Sequence, residues 1–246
     1  MSRSKHPKAP SKSSPTAKRF FGRPLTEVTD VTFPGRLFVI EGADGSGRSS
    51  QIEQLSAWLE ASGYGVRHMG LRRSPFLAED IEHAKQTNML THTTMSLFYA
   101  TDFFHQLVHE IVPALRAGYI VLADRYIYTL MARDIVRGAN EQWTRNLYSP
   151  AIIPDAVFYF HIEPRNLVGR NLQKNKTLDY WESGMDLGLS RSMFDGFVKY
   201  QSLIHDQFAA MQKEFGFEIV DANKNMDEIQ TDLRHRIGGM LGFETV

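Results

Sequence analysis

A glycine-rich stretch near residue 45 has the residue types and spacing that bind phosphate groups. Residues 42–49 read G-A-D-G-S-G-R-S, which fits the pattern G-x-x-x-x-G-[K/R]-[S/T]. Glycines let the backbone turn tightly, so that successive N–H groups point at phosphate oxygens. A helix beginning near Ser49 would add its N-terminal dipole, and the Ser49 hydroxyl could ligand Mg²⁺. The predicted phosphate-binding residues are Gly42, Ala43, Asp44, Gly45, Ser46, Gly47, Arg48, Ser49 and Ser50.

Arg48 lies at the position where such loops usually carry a lysine. Lysine is a compact charge that fits between two phosphates, whereas the guanidinium of arginine is a wider planar fork. The exchange keeps positive charge, but a displacement of about 1 Å at a reacting group can lower a rate by about 100-fold. Arg48 is predicted to be catalytic, and phosphate binding without catalysis is the alternative.

Asp124 and Arg125 form a second polar pair, directly at the end of an apolar run. In open α/β sheets, ligands bind at the carboxyl ends of the strands. The pair is therefore predicted to lie at a ligand site. A purely structural ion pair is the alternative, because ion pairs also gather at such places.

Short apolar runs alternate with helical stretches from Gly35 onward, the pattern of βαβ units around a parallel sheet. Strands are predicted at 37–41, 65–69, 120–124, 156–162 and 218–221. A helix after the glycine loop is indicated by the spacing of Ile52, Leu55 and Leu59. Further helices are predicted at 91–115, 190–216 and 227–241. In the first of these, the aliphatic stripe consists of Leu97, Thr101, Phe104, Val108, Ile111 and Leu115.

Composition limits the protein class. The chain has 246 residues, 28 basic and 28 acidic side chains and no cysteine. This length suits one α/β domain, and the lack of cysteine excludes disulfides, thiol catalysis and thiolate metal sites. No apolar run approaches the ~20 residues that span a bilayer, and the basic N-terminus precedes no apolar signal segment. We therefore expect a cytoplasmic protein without membrane contact.

The first part of the chain differs from the rest. Residues 1–34 are predicted to be a disordered basic tail, because the first 23 residues carry seven Lys or Arg and no acid. Such a tail could contact nucleic acid, although a solubilising role without a specific partner is the favoured interpretation. Residues 35–246 are predicted to form the folded domain.

Several stretches together resemble the thymidylate kinases, a family of P-loop nucleoside monophosphate kinases. The stretch FVIEGADGSGRSSQ is similar to the family pattern EG-x-D-G-S-G-K-S-T-Q. Two further stretches match in order, LFYATDFFHQLVHEIVPALRAGYIVLADRY and IIPDAVFYFHIEP. The resemblance extends from about residue 36 to residue 221. It implies an α/β P-loop kinase fold, with a five-stranded parallel sheet flanked by helices in three αβα layers.

The resemblance also implies roles for single residues. Asp44 would accept a hydrogen bond from the deoxyribose 3′-hydroxyl, although a turn-forming aspartate is the alternative. Asp124 would help to hold Mg²⁺, with Ser49 as a second metal ligand. Arg125 would grip the acceptor monophosphate. A second phosphate-gripping arginine would follow the second strand, where Arg72 and Arg73 both qualify.

The predicted base pocket departs from the family pattern. Tyr99 matches an aromatic residue that stacks on the base, and Phe103 replaces an arginine that hydrogen-bonds it. The two are expected on the side of their helix opposite the aliphatic stripe, where packing without a base is the alternative. Arg133 and Asp134 replace a Tyr-Gln pair. These exchanges among the polar groups around the base should change its recognition.

A lid is expected between residues 165 and 191, since phosphoryl transfer needs positive charge on the transferring group. Its candidate cations are Arg170, Lys174, Lys176 and Arg191. Trp181, Gly184, Met185 and Gly188 indicate a loop with its own structure, unlike the short arginine-rich lid of the family.

The resemblance implies a kinase that transfers the γ-phosphate of ATP to dTMP, with ATP and Mg²⁺ as cofactor and metal. Its partners would be nucleotide substrates and a second copy of the chain, because the family forms dimers through helices. A kinase with another acceptor is the first alternative, motivated by Phe103, Arg133 and Asp134. A nucleotide-binding protein without catalysis is the second, motivated by Arg48.

Overall fold

The computed structural model describes residues 16–17, 20–28, 32–71, 77–87 and 90–243. Within these ranges, the side chains of residues 16, 17, 78, 85–87 and 174 are not described. In the described part of the chain, no helix is long and apolar enough to cross a membrane.

The centre of the domain is a parallel sheet, and all five predicted strands are confirmed. The strands are β1 (Arg36–Gly42), β2 (Val66–Gly70), β3 (Ile120–Asp124), β4 (Ala156–His161) and β5 (Glu218–Asp221). Their spatial order is β2-β3-β1-β4-β5, with every neighbouring pair parallel. Strand β1 is therefore central, and the glycine-rich loop follows it directly.

Helices connect the strands. They are α1 (Arg48–Ala61), α2 (Ala78–Thr87), α3 (His92–Gln106), α4 (Val112–Arg116), α5 (Ile127–Val136), α6 (Glu141–Tyr148), α7 (Pro164–Asn175), α8 (Met193–Phe215) and α9 (Met226–Leu241). The predicted helix after the glycine loop is α1, whose Ile52, Leu55 and Leu59 are buried. The helices predicted at 190–216 and 227–241 correspond to α8 and α9.

The central strand is covered on both faces, which confirms the predicted three-layer arrangement. Leu37 and Val39 of β1 belong to one apolar cluster, together with residues of α3 and α5. Phe38 and Ile40 belong to a second cluster, with residues of α1, α7 and α9. Successive strand side chains point to opposite faces, so this alternation places helices on both sides of the sheet.

The predicted apolar face of α3 is wrong. The side chain of Leu97 is 45% exposed, whereas that of Phe103 is fully buried. A π-helical turn, Leu107–Ile111, joins α3 to α4, and the Val112 N–H bonds back to the Leu107 carbonyl. This wider turn adds a residue to the helical repeat. Positions spaced by four, from Phe103 through Ile111 to Leu115, consequently all face the core.

Part of the predicted N-terminal tail packs on the domain. Phe33 is fully buried and Val28 is 3% exposed. The Phe21 N–H donates to the Ala151 carbonyl at 3.2 Å, and the Phe21 ring stands edge-on to Phe215 with 5.6 Å between centroids. The described residues 20–28 and 32–34 therefore do not behave as a disordered tail, because they carry apolar groups that the domain buries. Residues 1–15 lie outside the described part of the chain.

Candidate functional site

The predicted glycine loop and the Asp124-Arg125 pair converge at the carboxyl edge of the sheet. Asp124, the last residue of β3, is in register with Ile40 of β1, two residues before the glycine loop. On the other side of β1, Gly42 is in register with Phe160 of β4. The loop and the Asp124-Arg125 pair thus lie side by side, as the parallel topology requires.

The loop has the backbone conformation that its glycines allow. Gly45 and Gly47 have φ angles of 83° and 93°, in the left-handed region that favours glycine. At Gly45 a Cβ atom would also lie 2.9 Å from the amide nitrogen of Asn171. The N-cap residue of α1 is Gly47, which has no side chain to cap the helix, so the first N–H groups of α1 can donate to an anion. Ser49 and Ser50, at the start of this helix, are exposed.

Arg48 folds inward over the loop. Its Nε donates to Asp124 Oδ1 at 2.8 Å, and its Nη1 donates to the carbonyl oxygens of Gly42 and Ala43. Its Nη2 lies 3.5 Å from Asp44 Oδ1. Only 7% of the residue is exposed, and the neighbouring carboxylates raise its pKa although burial opposes this. Arg48 therefore ties the loop to the end of β3, and its contacts in the structure are loop carbonyls and carboxylates.

Asp44 and Arg125 form the link between the loop and the acceptor side of the site. Arg125 Nη2 donates to Asp44 Oδ1 at 2.7 Å. Partial burial opposes ionisation of Asp44, but Arg125 and Arg48 together lower its pKa below the usual range. The Arg125 Nε atom is buried and has no hydrogen-bond partner among the described residues. Arg125 therefore has one N–H donor next to the loop that no described residue accepts.

A buried carboxylate fixes the turn that carries Arg125. Glu41 is fully buried in β1 and accepts hydrogen bonds from Tyr126 N at 2.8 Å and Thr129 Oγ1 at 2.5 Å. Burial raises the pKa of Glu41, although these donors lower it in part. Arg125 itself adopts a left-handed φ of 71°, which a side chain other than glycine adopts only under constraint. The Glu41 bonds supply that constraint.

Ser49 and Asp124 have the oxygen donors that suit a magnesium ion. Ser49 Oγ donates to Asp124 Oδ2 at 3.3 Å, so the two side chains meet at the edge of the loop. Mg²⁺ commonly uses one or two protein oxygens together with water and substrate phosphates. The pair fits such a mode of binding. A cage of three or more His, Cys, Asp or Glu side chains is absent from the described residues.

A cavity of about 50 Å³ lies between α3, α5 and the segment after α7. Its lining includes Tyr99, Arg133 and Asp134, which the sequence predicts around a base, together with Trp181 and Glu182. Arg133 pairs with the Glu182 carboxylate. Phe103 does not line this cavity, because it is buried against Tyr126, Phe104 and Tyr148. Its side chain is accounted for by core packing.

The remaining predicted cations are only partly placed. Arg72 and Arg73 lie outside the described residues, as does the side chain of Lys174. Arg170 lies on α7 beside the loop, 3.5 Å from where a Cβ on Gly45 would be. Lys176 ends α7 in a left-handed conformation, with a φ of 61°. Arg191 is exposed in the loop before α8.

The surroundings of Asp134 disfavour the ionised form of its carboxyl group. Its Oδ1 accepts from Ser96 Oγ at 2.7 Å, whereas its buried Oδ2 has no partner in the described part of the chain. Burial raises the pKa of Asp134 to about 6, against an ordinary value of 3.8. The native state therefore holds the protonated form better than the unfolded chain does. The contribution of the Asp134 carboxyl to the free energy of unfolding is therefore fully present below about pH 4, and it is lost as the pH rises through 6.

Asp134→Asn should remove this pH dependence. At pH 8 we expect the variant to be more stable than the wild type by roughly 1–3 kcal/mol, with the difference vanishing near pH 4. Urea unfolding at pH 4, 6 and 8 measures it. The raised pKa of Asp134 would be contradicted if the variant were less stable than the wild type at pH 8, or if its free energy of unfolding differed by the same amount at all three pH values.

Sequence reasoning missed several residues of the site. Glu41 could have been noticed as a lone charge in an apolar strand. Asn171, whose amide donates to the Asp44 carbonyl at 2.8 Å, has no signal at all, because it lies 127 positions away. Glu182 and Arg137, which also line the cavity, depend on the path of the segment between α7 and α8. That path follows no helical or strand period.

Comparisons with known proteins agree with this geometry. The family model described as thymidylate kinase matches residues 40–233. A protein named probable thymidylate kinase 2 from Saccharolobus solfataricus is 37% identical over 205 residues, covering 83% of this chain and 96% of the relative. One named thymidylate kinase from Geobacillus sp. is 29% identical, covering 79% of this chain and 92% of the relative. A probable thymidylate kinase from Thermococcus gammatolerans is 27% identical, with 81% and 94% covered.

The match includes the glycine loop, the Asp124-Arg125 turn and the cavity, and thus every part of the site described above. The alignments cover 92–96% of the length of these three relatives. The chain belongs to the thymidylate kinase family.

Proposed function

We propose that the protein transfers the γ-phosphate of ATP to dTMP and so forms dTDP and ADP. An oxygen of the dTMP phosphate attacks the γ-phosphorus, and the bond from that phosphorus to the β-bridging oxygen breaks. Such a transfer depends on positioning and charge rather than on covalent catalysis by the protein. The observation that carries the proposal is the contact between Asp44 and Arg125, which joins the phosphate-binding loop to an arginine with an unused donor.

The loop and the start of α1 would hold the ATP phosphates. Gly45 and Gly47 adopt left-handed backbone conformations, which allow the neighbouring N–H groups to point at the phosphate oxygens. Arg48 maintains this loop through its bonds to the Gly42 and Ala43 carbonyls. Its guanidinium is a positive charge fixed against the loop and would partly neutralise the negative charge of the bound phosphates.

Arg125 would hold the acceptor phosphate. Its buried, unpartnered Nε can donate to a phosphate oxygen, and its terminal nitrogens can add a second, parallel bond. Asp44, which already contacts this guanidinium, would accept a hydrogen bond from the deoxyribose hydroxyl. Arg72 or Arg73 remains the proposed second phosphate ligand. Of the predicted base contacts, Tyr99, Arg133 and Asp134 stay in the proposal because they line the cavity.

Ser49 and Asp124 would hold a magnesium ion together with the ATP phosphates. Bound there, the ion would neutralise negative charge on the phosphate oxygens during transfer. The carboxylate of Asp124 also balances the charge of Arg48, at 2.8 Å. Its loss would therefore disturb the metal site and the loop together.

A panel of monophosphates tests the proposed acceptor. The purified chain is given ATP and Mg²⁺ with each common ribo- and deoxyribonucleoside monophosphate, and ADP release is measured. We expect dTMP to have the highest kcat/KM. A clear preference for another acceptor would replace dTMP in the proposal, and ATP binding without any turnover would refute it.

Arg48→Met should abolish most of the activity, whereas Arg48→Lys should retain part of it. Methionine removes the charge and every bond to the loop carbonyls and Asp124, so we expect kcat to fall by about 100-fold or more. Lysine keeps the positive charge but not the planar guanidinium, so we expect its kcat to lie between those of the wild type and the methionine variant. Steady-state kinetics with dTMP measure both. Equal rates for the methionine variant and the wild type would show that Arg48 has no part in transfer.

We further propose a cytoplasmic homodimer. The outer face of α3 exposes 45% of the Leu97 side chain, and Phe104 and Val108 on the same side are only partly buried. A second copy of this helix would cover such a face. Light scattering tests this proposal. The wild type should have the mass of two chains, and the Leu97→Lys variant should have the mass of one.

A further inference from the structure

The segment between α7 and α8 forms a folded unit over the cavity. Residues 179–188, called the clamp below, contain two glycines with left-handed φ angles, Gly184 at 58° and Gly188 at 63°. At its start, Asp179 Oδ1 accepts the N–H groups of Trp181 and Glu182, both at 2.9 Å. The clamp thus carries its own hydrogen bonds and turns.

The clamp is fitted closely to α8. A Cβ atom on Gly184 would lie 2.9 Å from Tyr200 Cβ, and one on Gly196 would lie 2.8 Å from the Ser183 carbonyl. Gln201 donates to the backbone oxygen of Glu182 at 3.0 Å and to its carboxylate at 3.1 Å. One side of the clamp is therefore fixed on this helix.

Arg137, directly after α5, holds the other side. Its guanidinium donates to Asp186 from Nε at 2.8 Å and from Nη2 at 3.3 Å. It also donates to the Trp181 carbonyl at 3.0 Å and to the Tyr200 hydroxyl at 2.5 Å. The same guanidinium lies over the Tyr200 ring, 4.9 Å from its centroid. Side-chain exposure is only 12% for Arg137 and 4% for Asp186, so water weakens this pairing little.

Glu182 is the residue of the clamp whose side chain lies beside Arg125 and Arg133. Its carboxylate pairs with Arg133 and lies 3.9 Å from Arg125 Nη1. Burial alone would raise the pKa of Glu182, but the two arginines lower it below the usual range. Glu182 is thus a fixed negative charge between the cavity and the proposed acceptor arginine.

We infer that Arg137 is a positioning residue for acceptor binding: it holds the clamp closed over the cavity, so that Glu182 aligns Arg125 and Arg133. The inference deepens the proposed function and rests on it. Arg137 also lines the cavity, but each of its three nitrogens already donates to Asp186, Trp181 or Tyr200. Its effect on an acceptor therefore passes through the clamp.

Arg137→Met should raise the KM for dTMP by about tenfold, with little change in kcat or in the KM for ATP. Loosening the clamp exposes the cavity to water and frees Glu182, whereas the glycine loop and Arg48 are untouched. Asp186→Asn, which removes the partner charge but leaves Arg137 in place, should raise the KM for dTMP in the same direction. Arg137→Lys should lie between the wild type and the methionine variant.

Arg145→Met is the matched control. Arg145 also pairs with two carboxylates, Glu141 and Glu214, and lies over an aromatic ring, 5.7 Å from the centroid of Phe215. It lies on α6 and has none of the clamp contacts described above. Its loss should leave both KM values unchanged, which separates clamp positioning from a general loss of folding.

A binding measurement without turnover completes the test. The chain has three tryptophans, and in a Trp58→Phe/Trp143→Phe background only Trp181 reports. Addition of dTMP alone should change the Trp181 fluorescence, and Arg137→Met should shift that titration to about tenfold higher dTMP. Binding without dTDP formation in the wild type would refute the proposed kinase while leaving the clamp intact.

Several results would overturn the inference. They are an unchanged or lowered KM for dTMP in Arg137→Met, an equal effect of Arg145→Met, and a Trp181 signal that does not respond to dTMP in the Trp58→Phe/Trp143→Phe background with Arg137 intact. If Arg137→Met fails to fold, Asp186→Asn decides the question by the same criteria.

Discussion

Arg125→Met should lower kcat/KM for dTMP by about 10³-fold, with little change in the KM for ATP. The reason is the position of the guanidinium, which contacts Asp44 at 2.7 Å and keeps its buried Nε without a partner among the described residues. A phosphate placed there would receive charge-assisted bonds from a guanidinium whose side chain is only 11% exposed, where removal of a donor has large effects. Steady-state kinetics with each substrate varied in turn measure this result.

Arg125→Lys provides the comparison. Lysine keeps one positive charge but cannot form two parallel bonds, so its kcat/KM should fall between those of the methionine variant and the wild type. Both substitutions meet the same left-handed backbone, with a φ of 71°, so any effect of strain is shared. If both variants keep the wild-type KM for dTMP and the wild-type kcat, Arg125 does not hold the acceptor.

Asp124→Asn should lower kcat by about 10³-fold, the second large effect. The substitution keeps the shape of the side chain but removes the charge that pairs with Arg48 at 2.8 Å. It also weakens the proposed metal site, because an amide oxygen is a poorer ligand for Mg²⁺ than a carboxylate. We expect raised Mg²⁺ to restore part of the rate, which a purely structural role would not allow.

Asp155→Asn is the control for that substitution. Asp155 also pairs with an arginine next to the sheet, Arg36 at 3.6 Å, and accepts the Leu37 N–H at 2.7 Å. It lies beside the start of β1, at the opposite edge from the glycine loop. Its kcat should match the wild type. A similar loss of rate in both asparagine variants would mean that the fall reflects stability rather than chemistry.

The fold and the phosphate loop were predictable because their signals are local. Each strand is a short apolar run, and β1 is followed at once by glycines whose backbone angles only a few residue types adopt. The position of Asp124 and Arg125 at the carboxyl edge then follows from parallel topology. These features need no knowledge of distant contacts.

The cavity was less predictable because it depends on contacts between distant segments. Apolar spacing predicts the wrong face for Phe103, because the π-helical turn at Leu107–Ile111 shifts the helical repeat and the spacing does not reveal this shift. Glu182 meets Arg133 across 49 residues, and no local sequence pattern connects the two residues. Only the fold brings such pairs together.

Formation of labelled dTDP from dTMP and γ-labelled ATP tests the central claim, that this chain has a complete site for phosphoryl transfer. The account predicts that the wild type places the label on the β-phosphate of dTDP, at a rate on the order of 1–100 s⁻¹. Asp124→Asn, assayed in parallel, should form about 10³-fold less and so exclude a contaminating kinase. Wild-type protein that binds ATP but forms no labelled dTDP, or equal label with both proteins, would contradict it.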